Sequence, residues 1–492
     1  MRAIARVKGV IQPGLRVAWV AFLVCLPVTS FPFFPGGIGG NTLVRPLSIY
    51  PLLILLAFAI IPKLFLKPIP RTLLSLIPFL IIASLSTLVA TVSGIEPLQG
   101  ISLLERLFRA LITLGIGVAI YLTVSIWPEN RSDLRSALRW IYIGFMIALA
   151  WGSLQAIYIV HFSSPWFEFV SQIQRNISTR RLFTNRISGM TYEPNWFADQ
   201  ISFLLLPWLL AAVSNGISVF SWRYRRITVE TLLLIWATIL LPFTYSRAGL
   251  SVMFVLIIVT VIFLRRKPGG NLASHSHIPR FPLRRIVEAL TLISVLSALL
   301  FLAGTRNEFF ARVWDYWKRR PVQGSFVSTL SDYFEYLGFG ARFSYWQAAY
   351  NIYSEQPLLG VGLGNYVFYF DEALPNRPMA LYPEVLRLVV PEVGRDRLIT
   401  AKNLYLRLLA ETGITGLAAF IAFLIGLAGC VFYLWLSADV EANFWGKAGF
   451  LGLIAFGLIA LSFDSFALPN MWVVFGLITA SAGVEKSLLK ID

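Results

Sequence analysis

The chain has 492 residues, 57% of them hydrophobic and only 14% charged, with a formal net charge of +17 at pH 7. Apolar runs long enough to cross a bilayer recur along it, which excludes an ordinary soluble globule; they are also too long for a β-barrel alternating in segments of ~10 residues. The expected fold class is an all-α polytopic membrane protein.

Runs of ~17 to 25 mainly apolar residues predict about twelve transmembrane helices, centred on 17–35, 47–66, 72–92, 107–127, 137–160, 196–214, 229–245, 247–264, 286–304, 414–436, 446–464 and 471–485. The N-terminus is basic and then apolar, as a signal peptide is. Its first run nevertheless passes Phe31 without a small-residue cleavage pattern, so a retained first span is expected. Basic clusters set the orientation. Arg2, Arg6, Lys8 and Arg16 precede the first span, Lys63, Lys67 and Arg71 follow the second, and Arg131, Arg135 and Arg139 follow the fourth. Arg223, Arg225 and Arg226 follow the sixth, and Arg265, Arg266 and Lys267 follow the eighth. With twelve spans, all of these fall on one face, which the positive-inside tendency makes cytoplasmic, with both termini on it. The positive charge is thereby read as orientation and not as nucleic-acid binding.

The opposite face carries the loops near 93–106, 161–195 and 305–402 and the turn Tyr245–Arg247. The expected organisation is residues 1–304 with nine helices and the outer loop 161–195, residues 305–412 as a large outer loop containing short helices, and residues 413–492 with three more helices. Both long outer loops are basic: Arg175, Arg180, Arg181 and Arg186 in the first, and Arg306, Arg312, Lys318, Arg319, Arg320 and Arg342 in the second. Long loops translocate regardless of charge, but cations gathered beside aromatic anchors suit an anionic ligand held at the lipid boundary.

Within the large loop, Asn307 to Lys318 alternates bulky aromatics with charge at helical spacing, the pattern of an interfacial amphipathic helix. Ala341 to Tyr353 predicts a second short helix that sets Arg342 and Trp346 on one face and stops at Pro357. The run Gly360, Gly362, Gly364 lacks the strand–turn–helix setting of a dinucleotide site and reads as a tight turn. Asn403, Arg407 and Glu411, four apart, line one side of a helix that Gly413 can end, and Gly416 allows close packing as the next span begins. Cys25 and Cys430 lie in apolar runs and read as packing residues. No cysteine, histidine or carboxylate cluster has metal-ligand spacing.

Four motifs stand in order: Arg186-x-x-Gly-x-x-x-Glu193-Pro-Asn195; Ser246-Arg247-x-x-Leu250; Arg342-x-x-x-Trp346 followed by Pro357-Leu-Leu-Gly-Val-Gly-Leu-Gly-Asn365; and Asn403-x-Tyr405-Leu406 with Glu411-x-Gly-x-x-Gly-Leu417. Together they resemble the O-antigen ligase and polymerase superfamily over residues 186–417. The resemblance implies a GT-C-like, metal-independent and cofactor-free glycosyltransferase in the bacterial inner membrane, with its large loop and active face periplasmic. It implies a polyprenyl-diphosphate-linked glycan as donor, a lipid-linked glycan or lipid A core as acceptor, membrane lipid around the site and a chain-length regulator as partner. The chemistry explains the arginines. Negative charge grows on the departing diphosphate, and guanidinium groups stay ionised and grip phosphate oxygens. On this reading Arg247, Lys402, Glu411 and Glu193 are catalytic, and Arg186, Arg342, Trp346, Asn403, Tyr405 and Arg407 bind substrate. One departure stands out: ligases commonly have histidine where this chain has Lys402. A lysine is ordinarily protonated at neutral pH and a poor base, so Lys402 is expected to contact diphosphate, with Glu193 or Glu411 accepting the proton. The alternative is a transporter or flippase, since relatives with this pattern have at times been labelled inorganic-carbon transporters; it would favour ionisable groups deep inside spans, whereas Arg109, Asp199, Glu288 and Asp464 lie near span ends.

Overall fold

The computed structural model of the chain describes residues 2–34, 44–66, 69–92, 101–264, 308–319, 325–374 and 399–488, with positions 291, 294, 297–298, 301, 382 and 384–385 between them. Among the described residues, nine helices are long and apolar enough to cross a membrane. These are α2 (Ile49–Leu66), α3 (Arg71–Ala90), α4 (Leu103–Ile126), α5 (Arg131–Val160), α7 (Pro194–Asn215), α9 (Arg247–Leu264), α14 (Leu404–Trp435), α15 (Val440–Ile459) and α16 (Pro469–Leu488). Two others have shorter apolar stretches: α1 (Arg2–Val24), apolar over Gln12–Val24, and α8 (Val229–Thr244). The predicted span 286–304 lies almost wholly outside the described residues.

Side chains at the helix starts explain where the spans begin. Ser102, Asn130, Ser246, Asn403 and Asp439 each accept a backbone N–H of the first turn of α4, α5, α9, α14 and α15, satisfying donors that the helix leaves open. Two boundaries differ from expectation. The first helix stops at Val24, not near residue 35, because Pro27 and Pro32 cannot continue its hydrogen-bond ladder; the chain then pairs Phe31 N–H with the Arg45 carbonyl at 2.8 Å. The tenth predicted span joins the polar segment before it, so that α14 runs from Leu404 and breaks only at Gly413 (φ 64°).

Burial separates interior from lipid-facing helices. The apolar window of α7 is 89% buried and that of α16 78%, against 22% for α2 and 28% for α14. Hence α7 and α16 form the centre of the bundle, together with α15, and Trp208, Trp445 and Trp472 are fully enclosed there. Glycines allow the approach: a Cβ on Gly117 of α4 would collide with the Trp472 indole, and one on Gly476 of α16 would come within 2.6 Å of Val124.

The two ends of the bundle are built differently. One is clasped by ion pairs: Arg131 to Glu485 at 2.5 Å, Arg135 to Glu441 at 2.6 Å and Lys63 to Glu129 at 2.8 Å. A two-residue hairpin, β1 (Arg223–Tyr224) with β2 (Ile227–Thr228), turns at this end. The other end is held by backbone contacts between loops, such as Thr179 N–H to the Ser30 carbonyl, Ile187 N–H to that of Phe243 and Leu404 N–H to that of Ala460. This second end carries short helices: α6 (Ser164–Ile177), which the sequence reading did not anticipate, α10 (Glu308–Arg319), α11 (Phe326–Phe334), α12 (Gly340–Glu355) and α13 (Tyr366–Ala373). A separate apolar cluster, including Tyr345, Ile352, Tyr366 and Phe370, seats α12 and α13 against Ala410 of α14.

Candidate active site

The turn between α8 and α9 reverses the chain in two residues, which puts Tyr245 in the left-handed region (φ 49°) and makes Ser246 the cap of α9. Arg247 is therefore the first residue of a span, with its head at the polar boundary. Its Nη1 donates to the Leu337 carbonyl, its guanidinium lies 4.6 Å from the Phe309 ring centre, and its Nε is buried without a hydrogen-bond partner among the described residues. Arg186 reaches the same turn from the 161–193 segment: Nε donates to the Thr244 carbonyl at 2.8 Å and Nη2 to Asn195 Oδ1 at 2.9 Å. Burial lowers the Arg186 pKa from the usual arginine value, and the charge of Glu193 offsets this in part. Helix α10 closes the opposite side, packing Phe309 and Phe310 against Tyr245 at 5.2 and 5.3 Å between ring centres.

Between these elements opens a cleft of about 450 Å³ lined by Arg186, Arg312, Glu308, Tyr245, Phe309 and Asn185, among others. Arg186 and Arg312 both stand near enough to Arg247 to repel it. Among the described residues, neither Arg312 nor Glu308 has a hydrogen bond or ion pair. Among the described residues, two guanidinium groups and one carboxylate thus line this space, with Arg247 beside it.

Arg342 does not join that group. It lies on α12, electrostatically coupled to Asp199 of α7 and to Glu384, and its Nη1, Trp346 Nε1 and Asp199 Oδ1 are all buried without partners among the described residues. Lys402 sits near it in a left-handed conformation (φ 48°), with its N–H on Asp464 Oδ2 at 2.7 Å and its Nζ on Glu384 Oε1 at 2.5 Å. Burial would raise the Glu384 pKa, but the Lys402 ammonium, the Tyr345 hydroxyl and Arg342 outweigh it and hold that carboxyl below its ordinary range. Glu193 accepts from Arg180 Nη1 at 2.7 Å.

The remaining expected site residues are engaged in holding the fold together. Asn403 caps α14 by accepting Leu406 N–H at 3.1 Å, and the Tyr405 hydroxyl donates to the Gly457 carbonyl at 3.1 Å. Arg407 pairs with Glu411 at 2.9 Å and also donates to the Asp464 carbonyl; Glu411 is only 1% exposed. Arg106 lies in the field of this pair and donates to the Gly364 carbonyl at 2.7 Å. None of these four expected residues lines the cleft.

Residues 232–421 match the family model described as O-antigen ligase. This segment belongs to the O-antigen ligase and polymerase superfamily. No curated protein matches the chain. The O-antigen ligase segment runs from α8 into α14 and contains Arg247, Glu308, Arg312, Arg342 and Lys402; Arg186, Glu193 and Asp199 precede it. The cleft is therefore assembled across the edge of the ligase segment, with Arg186 supplied by the chain before it. Glu308 and Arg312 were missed as individual site residues in the sequence, although their spacing of four on an amphipathic helix is a readable signal. Asp199 and Arg106 had no such signal.

Proposed function

We propose that this protein is an integral-membrane glycosyltransferase that moves a glycan from a polyprenyl-diphosphate donor to a lipid-linked glycan or lipid A-core acceptor on the periplasmic face of a bacterial inner membrane. The observation that carries this reading is the cleft where Arg186 and Arg312 meet beside Arg247 at the head of a span. The acceptor oxygen attacks the anomeric carbon, the bond from that carbon to the diphosphate oxygen breaks, and its electron pair leaves with the diphosphate. Guanidinium groups fixed before the reaction stabilise that growing charge, and the interface gives the polyprenyl tail access from lipid. The open cleft suits the headgroup. Phe309 and Ile159 give it an apolar wall.

Purified protein in lipid nanodiscs, given a lipid-linked oligosaccharide, should transfer or extend it. Arg247→Ala should lower kcat by roughly 10² to 10³, the usual effect of removing one group that stabilises charge in the transition state. Donor flux across liposomes without glycan transfer would instead make it a flippase.

A further inference from the structure

An anion cleft has no electrostatic reason to hold a carboxylate, yet Glu308 lines this one alongside Arg186 and Arg312. It stands one helical turn before Arg312 on α10, and among the described residues no cation neutralises it. The two carboxylates that the sequence offered for proton transfer are occupied: Glu193 holds Arg180 at 2.7 Å, and Glu411 is 1% exposed and paired with Arg407. Of the described residues lining the cleft, Glu308 is the only carboxylate.

We propose that Glu308 accepts the proton of the acceptor hydroxyl, while Arg312 one turn away binds the departing diphosphate, so that a single face of α10 serves both ends of the reaction. This rests on the glycosyl-transfer reading. As the acceptor oxygen bonds to the anomeric carbon, its proton passes to the Glu308 carboxylate and the bonding pair to the diphosphate leaves with that group, so charge and atoms balance without a further reactant. The spacing suits the geometry: residues four apart on a helix share a face with Cβ atoms roughly 5–6 Å apart, about the span between an attacking hydroxyl and a leaving phosphate on one carbon. The repulsion between Glu308 and the diphosphate is then the cost of placing a base beside the reacting carbon.

The test uses the full chain in nanodiscs, with inorganic pyrophosphate as the binding probe and a lipid-linked oligosaccharide as substrate. Glu308→Gln should lower kcat by about a hundredfold or more while leaving KM for the donor unraised and tightening pyrophosphate severalfold, because a repelling charge has gone. Arg312→Ala should weaken pyrophosphate by about tenfold, and Arg223→Ala, which removes a cation at the opposite end of the bundle, should not. Tighter pyrophosphate with unchanged kcat would place the carboxylate beside the anion but give it no part in proton transfer, and would overturn the assignment. Near-normal turnover in Glu308→Gln, or a larger loss in Glu193→Gln, would overturn the assignment while leaving glycosyl transfer intact. No transfer by the wild type would overturn that reading and, with it, the role of Glu308.

Discussion

Lys402 occupies a position where charge, backbone and neighbours all constrain one side chain. Its left-handed backbone is secured by Asp464, its ammonium is 5.0 Å from the Tyr345 ring centre, and Glu384 takes its hydrogen bond. The ammonium is thereby already engaged by a carboxylate. Its contact with diphosphate would require Glu384 to give way. The Glu384 carboxyl is held below its ordinary value, so the folded state binds its proton more weakly than the unfolded chain does. Stability from the contact is therefore complete above the ordinary carboxylate range and disappears as pH falls through the depressed folded value. Thermal unfolding of detergent-solubilised wild type and Glu384→Gln should differ by a constant amount above about pH 5, and the difference should vanish under stronger acid. A difference that grows on acidification would contradict the direction of the shift. Because the Glu384 side chain is half exposed, the difference should be small.

At the scale of elements, the glycine turn and the break in α14 form one joint. Gly360, Gly362 and Gly364 all have positive φ (64°, 93° and 86°), and the turn they form donates Val361 N–H to the Ala410 carbonyl and Gly362 N–H to that of Glu411. On the other side of the break, Ile414 N–H returns to the Pro357 carbonyl at 2.9 Å. The helix opens at Gly413 so that this turn can bond to carbonyls that an unbroken helix would have used itself. A Cβ on Gly413 would collide with the Leu358 carbonyl as well as forcing a side chain into a strained conformation. Gly413→Ala should cost about 1–3 kcal/mol or more, seen as a lowered unfolding temperature. Gly429→Ala, on the same helix with open space around it, should be neutral or mildly stabilising. Equal effects at both sites would show that the joint does not matter.

For the whole molecule, the distribution of charge separates the two ends of the bundle. One end collects Arg131, Arg135, Asp439, Glu441 and Glu485 into mutual ion pairs, while the other leaves guanidinium groups around an open cleft. The first end is expected to be cytoplasmic on the positive-inside tendency. In a background with Cys25 and Cys430 replaced by serine, Arg181→Cys at the cleft end should react with a membrane-impermeant maleimide on intact spheroplasts. Arg225→Cys, in the hairpin at the clasped end, should react only after permeabilisation. The reverse pattern would overturn the proposed orientation.

What could be read from the sequence is what acts along the chain. Apolar length marked the spans from α2 to α16, Pro357 ended α12 near where it was expected to, glycine spacing announced the 360–364 turn, and Gly413 announced the break in α14. The amphipathic segment before Lys318 likewise emerged as α10. The family resemblance needed only the order of the motifs, which the ligase match bears out over residues 232–421. Only the tertiary structure decided how the charges are used. It joined Arg312, not Arg342, to Arg186 and Arg247, turned Arg407 and Glu411 into a buried pair, and left Glu308 exposed with no partner among the described residues. The reason is physical: whether a charged side chain holds the fold together or meets a ligand depends on burial and on opposite charges brought in by distant segments, and neither follows from local spacing.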